Sequence, residues 1–181
     1  MTSNRIEQFV ARSIGRWRSQ RSAHHLAFAH FEAVRSNIEI DALSADDPRV
    51  VELCQNNKTD LEGIAAPFFM SWAGESDWDD DDDDPETLSG STVLVPVPDP
   101  NDISRGQLLR DRGYAETVAA IGDYQISEDG IFTLVTSYDR AAAAEKIWFE
   151  TPNLRFRIST IRTSSGKGVT TASFSSEIRL G

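Results

Sequence analysis

The sequence predicts a mainly β protein: a ten-stranded antiparallel up-and-down barrel, with a short N-terminal helix and one helix after the second strand. Three observations predict it. Short apolar-polar alternations recur along most of the 181 residues. Compact turn signals, among them Asp129-Gly130, Thr151-Pro152-Asn153 and Ser164-Ser165-Gly166-Lys167-Gly168, separate many of them. Only two segments show helical patterning. Closing the sheet removes its edges, and eight to ten strands can enclose one small ligand. A two-sheet sandwich would give similar strand spacing.

Residues 3–13 read as the first helix, with Ser3 as a possible N-cap and Ile6, Phe9 and Val10 on one face. Strands are expected at 16–23 and 27–40. Asp46-Asp47-Pro48 then starts the second helix, running to about Asn56, because acids and proline suit a first turn. Further strands are expected near 62–74, 90–97, 104–110, 116–126, 131–139, 144–151, 154–163 and 168–180. A single domain over 1–181 follows from the length.

The net charge of −11 is concentrated in one place. Residues 75–86 carry nine acids and no base, which leaves 20 acids against 18 bases elsewhere. The run Asp79–Asp84 reads as a solvated loop, and it lacks the glycine and ligand spacing of a calcium loop. An acidic field opposes nucleic-acid binding but leaves room for a local anion site. No apolar run reaches the length of a membrane span, and the N-terminus shows no secretory h-region. One cysteine, Cys54, excludes an internal disulfide framework and a multi-cysteine metal site. A cytoplasmic protein without a resident metal is expected.

The nucleophile and phosphate-loop motifs Gly-x-Ser-x-Gly, His-Glu-x-x-His and the Walker loop are missing. Cys54, in the second helix, reads as a small buried core residue. His24 and His25 are adjacent on a strand, so they face opposite sides. Arg155, Arg157 and Ser159 share one strand face, and Glu177 and Arg179 share another. Two neighbouring guanidiniums call for an anion between them. Alternation with Leu154, Phe156 and Ile158 leaves two arrangements open. The ordinary one puts the arginines in water. The inverted one needs a polar-lined cavity and an outer apolar face covered by a helix or a second subunit. Trp72 and Trp78 are either core filler or stacking walls for a flat conjugated ligand.

A Gly-x-Trp after a short helix, here Gly15-Arg16-Trp17, is how lipocalin-type barrels often begin, with the indole plugging the closed end. Five further blocks join it: SWAGESDW (71–78), STVLVPVPD (91–99), LLRDRGYAE (108–116), AEKIWFETPNLRFR (144–157) and ASFSSEIRLG (172–181). With GRWRSQRSAHHLAF (15–28), the chain resembles the S-type phycobiliprotein lyases, the CpcS/CpeS group, over nearly its whole length. The long Asp run departs from that pattern.

The resemblance implies a lipocalin-like (calycin) barrel and a chromophore lyase of the phycobilisome. Such an enzyme binds a linear tetrapyrrole, phycocyanobilin or phycoerythrobilin, as substrate, with no permanently bound cofactor. It attaches the bilin by a thioether to a cysteine of an apo-phycobiliprotein subunit of phycocyanin, allophycocyanin or phycoerythrin. A homodimer, or a heterodimer with a related lyase chain, is implied as well. Arg18, Trp72, Trp78, Arg155, Arg157 and Ser159 match the bilin-binding positions, and Glu145 and Glu177 the acid-base positions. The match places the arginines inward. A non-catalytic bilin carrier and an accessory subunit of a hetero-oligomeric lyase are the competing readings.

Overall fold

A computed structural model, described for residues 4–76, 89–111, 120–163 and 168–181, shows ten antiparallel strands closed into one barrel. The chain runs α1 (Arg5–Ser13), β1 (Gly15–His25), β2 (His30–Ala42), α2 (Pro48–Asn56), β3 (Phe68–Ser76), β4 (Ser89–Asp99) and β5 (Asp102–Arg110). It continues through β6 (Ala120–Ile126), β7 (Phe132–Ser137), β8 (Ala141–Thr151), β9 (Leu154–Thr163) and β10 (Val169–Arg179). Each strand pairs with its sequence neighbours. β10 returns to β1, from Trp17 opposite Arg179 to His25 opposite Thr171, so the sheet has no free edge.

Local chemistry explains where elements begin. Asn4, not Ser3, caps α1: its side chain accepts from the Ile6 N–H while Glu7 accepts from the Asn4 N–H at 3.2 Å. Ser3 lies outside the described residues. Asp47 caps α2, with Pro48 in its first turn. The third strand begins later than the expected 62, because Leu61–Gly63 is a 3-10 turn and pairing starts only at Phe68, just past Pro67. β4 continues through Pro96 and Pro98, beyond its last rung with β3 at Leu94, where one side of the strand has no ladder partner. The expected start of the sixth strand at 116 and the Ser164–Gly168 turn fall largely outside the described residues.

The apolar residues form two layers. Inside the barrel, Ile6 and Val10 of α1 close the floor against Leu94, Leu108, Phe132, Leu134 and Ile147. Outside the wall, Val50, Leu53 and Cys54 of α2 cover Val93, Val95 and Leu109. Cys54 is thus buried on the far side of the wall from the interior, and burial pushes its thiol pKa up. Among the described residues no helix is long and apolar enough to cross a membrane.

The closed end is locked around Trp17, which is fully buried. Its indole Nε1–H donates to the Ser13 carbonyl at 2.9 Å. The guanidinium carbons of Arg155 and Arg179 lie 4.6 and 4.2 Å from its ring centroid. Arg179 also donates to the carbonyls of Arg12 and Ile14, each at 2.6 Å, and so satisfies the end of α1. Gly15 makes this approach possible. Its φ is +125°, and a Cβ there would lie 2.6 Å from Arg179 Nη1. Gly15→Ala is expected to cost about 1–3 kcal/mol, a melting-temperature drop of roughly 2–4 °C per kcal/mol. An unchanged melting curve would contradict the packing described for this end.

Candidate functional site

Above the apolar floor the barrel encloses a cavity of about 690 Å³. Its lining is mixed. Leu94, Leu108 and Ile147 supply apolar surface, and Ser19, Arg21, Arg110, Glu145, Arg155, Arg157, Ser175 and Glu177 supply polar and charged groups. Among the described residues lining it, four guanidiniums face two carboxylates, which leaves two positive charges in excess.

The arginines on β9 point inward. Arg155 and Glu177 are directly opposite on β9 and β10, both almost fully buried, and Arg155 Nε donates to Glu177 Oε2. Arg157, one inward position further along, places Nε 3.2 Å from Glu177 Oε1 and donates from Nη1 to Glu145 Oε1 at 3.2 Å. The result is an alternating ladder, Arg155–Glu177–Arg157–Glu145, across three strands. Such a buried ladder offsets desolvation only because each charge meets its opposite. Ser159 continues the face, its hydroxyl 2.5 Å from that of Ser173.

The inverted arrangement on β9 is therefore the observed one, but no described helix covers the outer side. α2 packs on β4 and β5 instead. Outside, Phe156 lies between Trp148 and Phe174, with ring centroids 5.6 and 5.5 Å away. Ile158, Phe174 and Ile178 remain exposed.

Arg18 requires a correction. Trp17 points inward, so alternation sends Arg16 and Arg18 outward, and Arg18 Nε donates to Asn37 on the outer surface at 3.1 Å. Arg21, on the inward face with Trp17 and Ser19, is the β1 arginine of the cavity. Its Nε is buried without a hydrogen-bond partner. Counting by twos from Trp17 would have found it. Arg110 on β5, also missed, is buried and donates from Nη2 to Thr136 Oγ1 at 2.5 Å.

Trp72 lines the cavity, its ring lying across Gly90; a Cβ there would sit 2.5 Å from the indole. Trp78 and the Asp79–Asp84 run lie outside the described residues. His24 and His25 face opposite sides as expected. His24 stacks edge-on with Phe31, and His25 Nε2 lies 2.8 Å from Glu32. A second recess of about 170 Å³ shares Arg21 and Glu145 with the main cavity and continues along β1 to Ala23 and His25.

Burial alone would raise the Glu177 carboxyl, but the Arg157 and Arg155 guanidiniums outweigh it and hold the group below its usual value of 4.5. A lowered native value stabilises the fold above the unfolded glutamate value, and that contribution is lost as pH falls through the native one. Thermal stability should therefore decline on acidification from 4.5 downward. Glu177→Gln leaves the buried Arg155 guanidinium without its carboxylate, while Arg157 keeps Glu145, and should cost about 3–5 kcal/mol at pH 7. It should also make the acid limb of the melting-temperature profile shallower; an unaltered limb would contradict the ladder.

The sequence model of the CpeS-like protein family matches residues 5–180. The chain is 58% identical over 174 residues to chromophore lyase CpcS/CpeS 3 of Trichodesmium erythraeum, covering 96% of this chain and 98% of that one. It is 54% identical over 160 residues to a putative phycoerythrobilin lyase CpeS of Microchaete diplosiphon, covering 88% and 70%. Its fold superposes on the S-type phycobiliprotein lyase CPES from Guillardia theta with a TM-score of 0.83 at 44% identity, covering 97% and 93%. A ten-stranded barrel, an inward arginine-carboxylate ladder and these matches along almost the whole length agree: the chain belongs to the CpeS-like family of CpcS/CpeS chromophore lyases.

Proposed function

We propose that this chain binds a bilin, phycocyanobilin or phycoerythrobilin, in the barrel cavity and attaches it to a cysteine of an apo-phycobiliprotein subunit in the cytoplasm. One observation carries the reading beyond family membership: among the described residues lining the cavity, positive charges exceed negative ones by two. A bilin brings two propionates, and those charges answer them with charge-assisted hydrogen bonds. Arg21 is the first propionate anchor, since its Nε has no partner to give up. Arg155, whose Nη2 also has no hydrogen-bond partner, and Arg157 complete the anion-binding site, and Trp72 stacks on the conjugated system. Trp78 joins Trp72 in this role and Ser159 binds polar edges of the chromophore.

The two glutamates divide the remaining work. Glu177 is gripped by two guanidiniums, so it holds Arg155 and Arg157 in position and is a poor proton donor. Glu145, nearer the upper recess, is the carboxylate that accepts from pyrrole N–H groups and passes a proton. In the transfer the acceptor thiolate adds to the double bond of the ring A side chain. A carbon–sulfur bond forms, the π electrons move into the ring, and a proton is taken up there. No group leaves. A homodimer or a heterodimer with a related chain would bury the exposed outer face around Ile158 and Phe174.

Incubation of the chain with bilin and an apo-subunit should give a covalent adduct on the acceptor, read by zinc-enhanced fluorescence on a denaturing gel. Bilin binding with no gain in adduct over a chain-free control would leave only a carrier. Arg21→Gln should weaken bilin binding about ten- to a hundredfold, the worth of one charge-assisted bond, with little change in melting temperature. Paired alanines at Arg155 and Arg157 would unpair Glu177 and confuse affinity with folding. Cys54→Ser should still transfer bilin, because Cys54 lies on the buried face of α2, outside the wall. Loss of transfer with bilin binding retained would point instead to a covalent intermediate on Cys54.

A further inference from the structure

We infer that the tip of the β1–β2 hairpin, Leu26 and Phe28 with the adjacent Phe31, is the surface on which the acceptor apo-subunit docks. The inference rests on the proposed transfer reaction and goes beyond it by naming where the second substrate binds.

The described residues leave the acceptor one approach. Its thiolate must reach ring A inside the barrel, yet the wall is an uninterrupted ring of ten paired strands. The lower end is filled by α1 and locked by Trp17 and Arg179. Among the described residues no helix or strand is laid across the opposite end, where β1 turns into β2. This chain cannot substitute its own sulfur, because Cys54 is buried on the outer side of the wall.

The hairpin tip at that end has the composition of a contact surface. Leu26–Phe28 is a single 3-10 turn closed by the Ala29 N–H on the Leu26 carbonyl at 3.4 Å. It holds Phe28 79% and Leu26 53% exposed, and Phe31 stands exposed beside His24. Large apolar side chains displayed together at a rim mark a protein contact more often than a folding requirement. The tip is also continuous with the site: Arg21, Ala23 and His25, the inward residues leading up to it, line the upper recess. A protein seated on Leu26 and Phe28 is thereby held over the chromophore. A second copy of this chain is a poor occupant, since rim-to-rim pairing would face both cavities with each other and exclude the acceptor. The partner is a protein presenting a cysteine beside an apolar patch.

The test compares the wild-type chain with the double variant Leu26→Ser, Phe28→Ser, both loaded with bilin and given increasing apo-subunit. The variant should keep bilin affinity within about twofold and its attachment rate at saturating acceptor. Its apparent KM for the acceptor should rise at least about tenfold, the loss of one or two apolar anchors. An unchanged KM overturns the assignment. So does a parallel loss of bilin affinity, which would make the hairpin part of the chromophore site. A photo-crosslinking phenylalanine analogue at position 28 in an otherwise wild-type chain gives a second readout. A crosslink to the acceptor is expected; a crosslink only to another copy, or none, overturns the proposal. Failure of the wild-type chain itself to bind bilin would instead sink the functional reading.

Discussion

The buried Arg155 guanidinium is tolerable inside the barrel because its charge is met before any ligand arrives, and the Arg155–Glu177–Arg157–Glu145 ladder supplies that match. Much else depends on it. The ladder needs β8, β9 and β10 in one register, so that Arg155 faces Glu177 and Glu145 falls beside Ser159. It needs a floor that keeps water from the lower cavity, which α1 and Trp17 supply. It turns Phe156, Ile158 and Phe174 outward, against the usual direction of an amphipathic sheet. Arg155 belongs to both systems, ion-paired with Glu177 and packed on Trp17.

Partial neutralisation is what would suit the cavity to the proposed bilin. With carboxylates equal in number to arginines, the interior would be balanced and indifferent to anions. With no carboxylates, the buried Arg155 and Arg110 and the half-buried Arg21 and Arg157 would oppose folding. Among the described lining residues, two glutamates against four arginines leave a net positive interior that would attract anions. The apolar part of the lining and the Trp72 ring across Gly90 add a surface for a flat, conjugated body. Charge count, shape and stacking thus describe one ligand class.

The strands were legible because alternation and turn residues are local signals, and hairpin connections carry them directly into the barrel. Orientation was less legible. For β9, parity permits two faces, and only a match to known lyases chose the inward one. For β1 the information was present in Trp17: once its ring is inside, Arg21 follows and Arg18 cannot. Arg110 left no such trace, because the residues around it, Leu108 and Leu109, point to opposite sides of the wall and blur the alternation. The start of β3 was misplaced since a 3-10 turn and a proline look extended in sequence. The N-cap slipped by one residue, Ser3 and Asn4 being chemically interchangeable in that role.

The most direct test of the charge argument alters the ligand and leaves the protein untouched. Affinity of the wild-type chain for a free-acid bilin, for its monomethyl ester and for its dimethyl ester can be compared by absorbance titration at fixed ionic strength. If the guanidinium groups of the cavity hold two propionates, each esterification weakens binding by about tenfold or more, and added salt narrows the difference. Equal affinity for the diacid and the diester would contradict the account, whatever the chain's activity as a lyase.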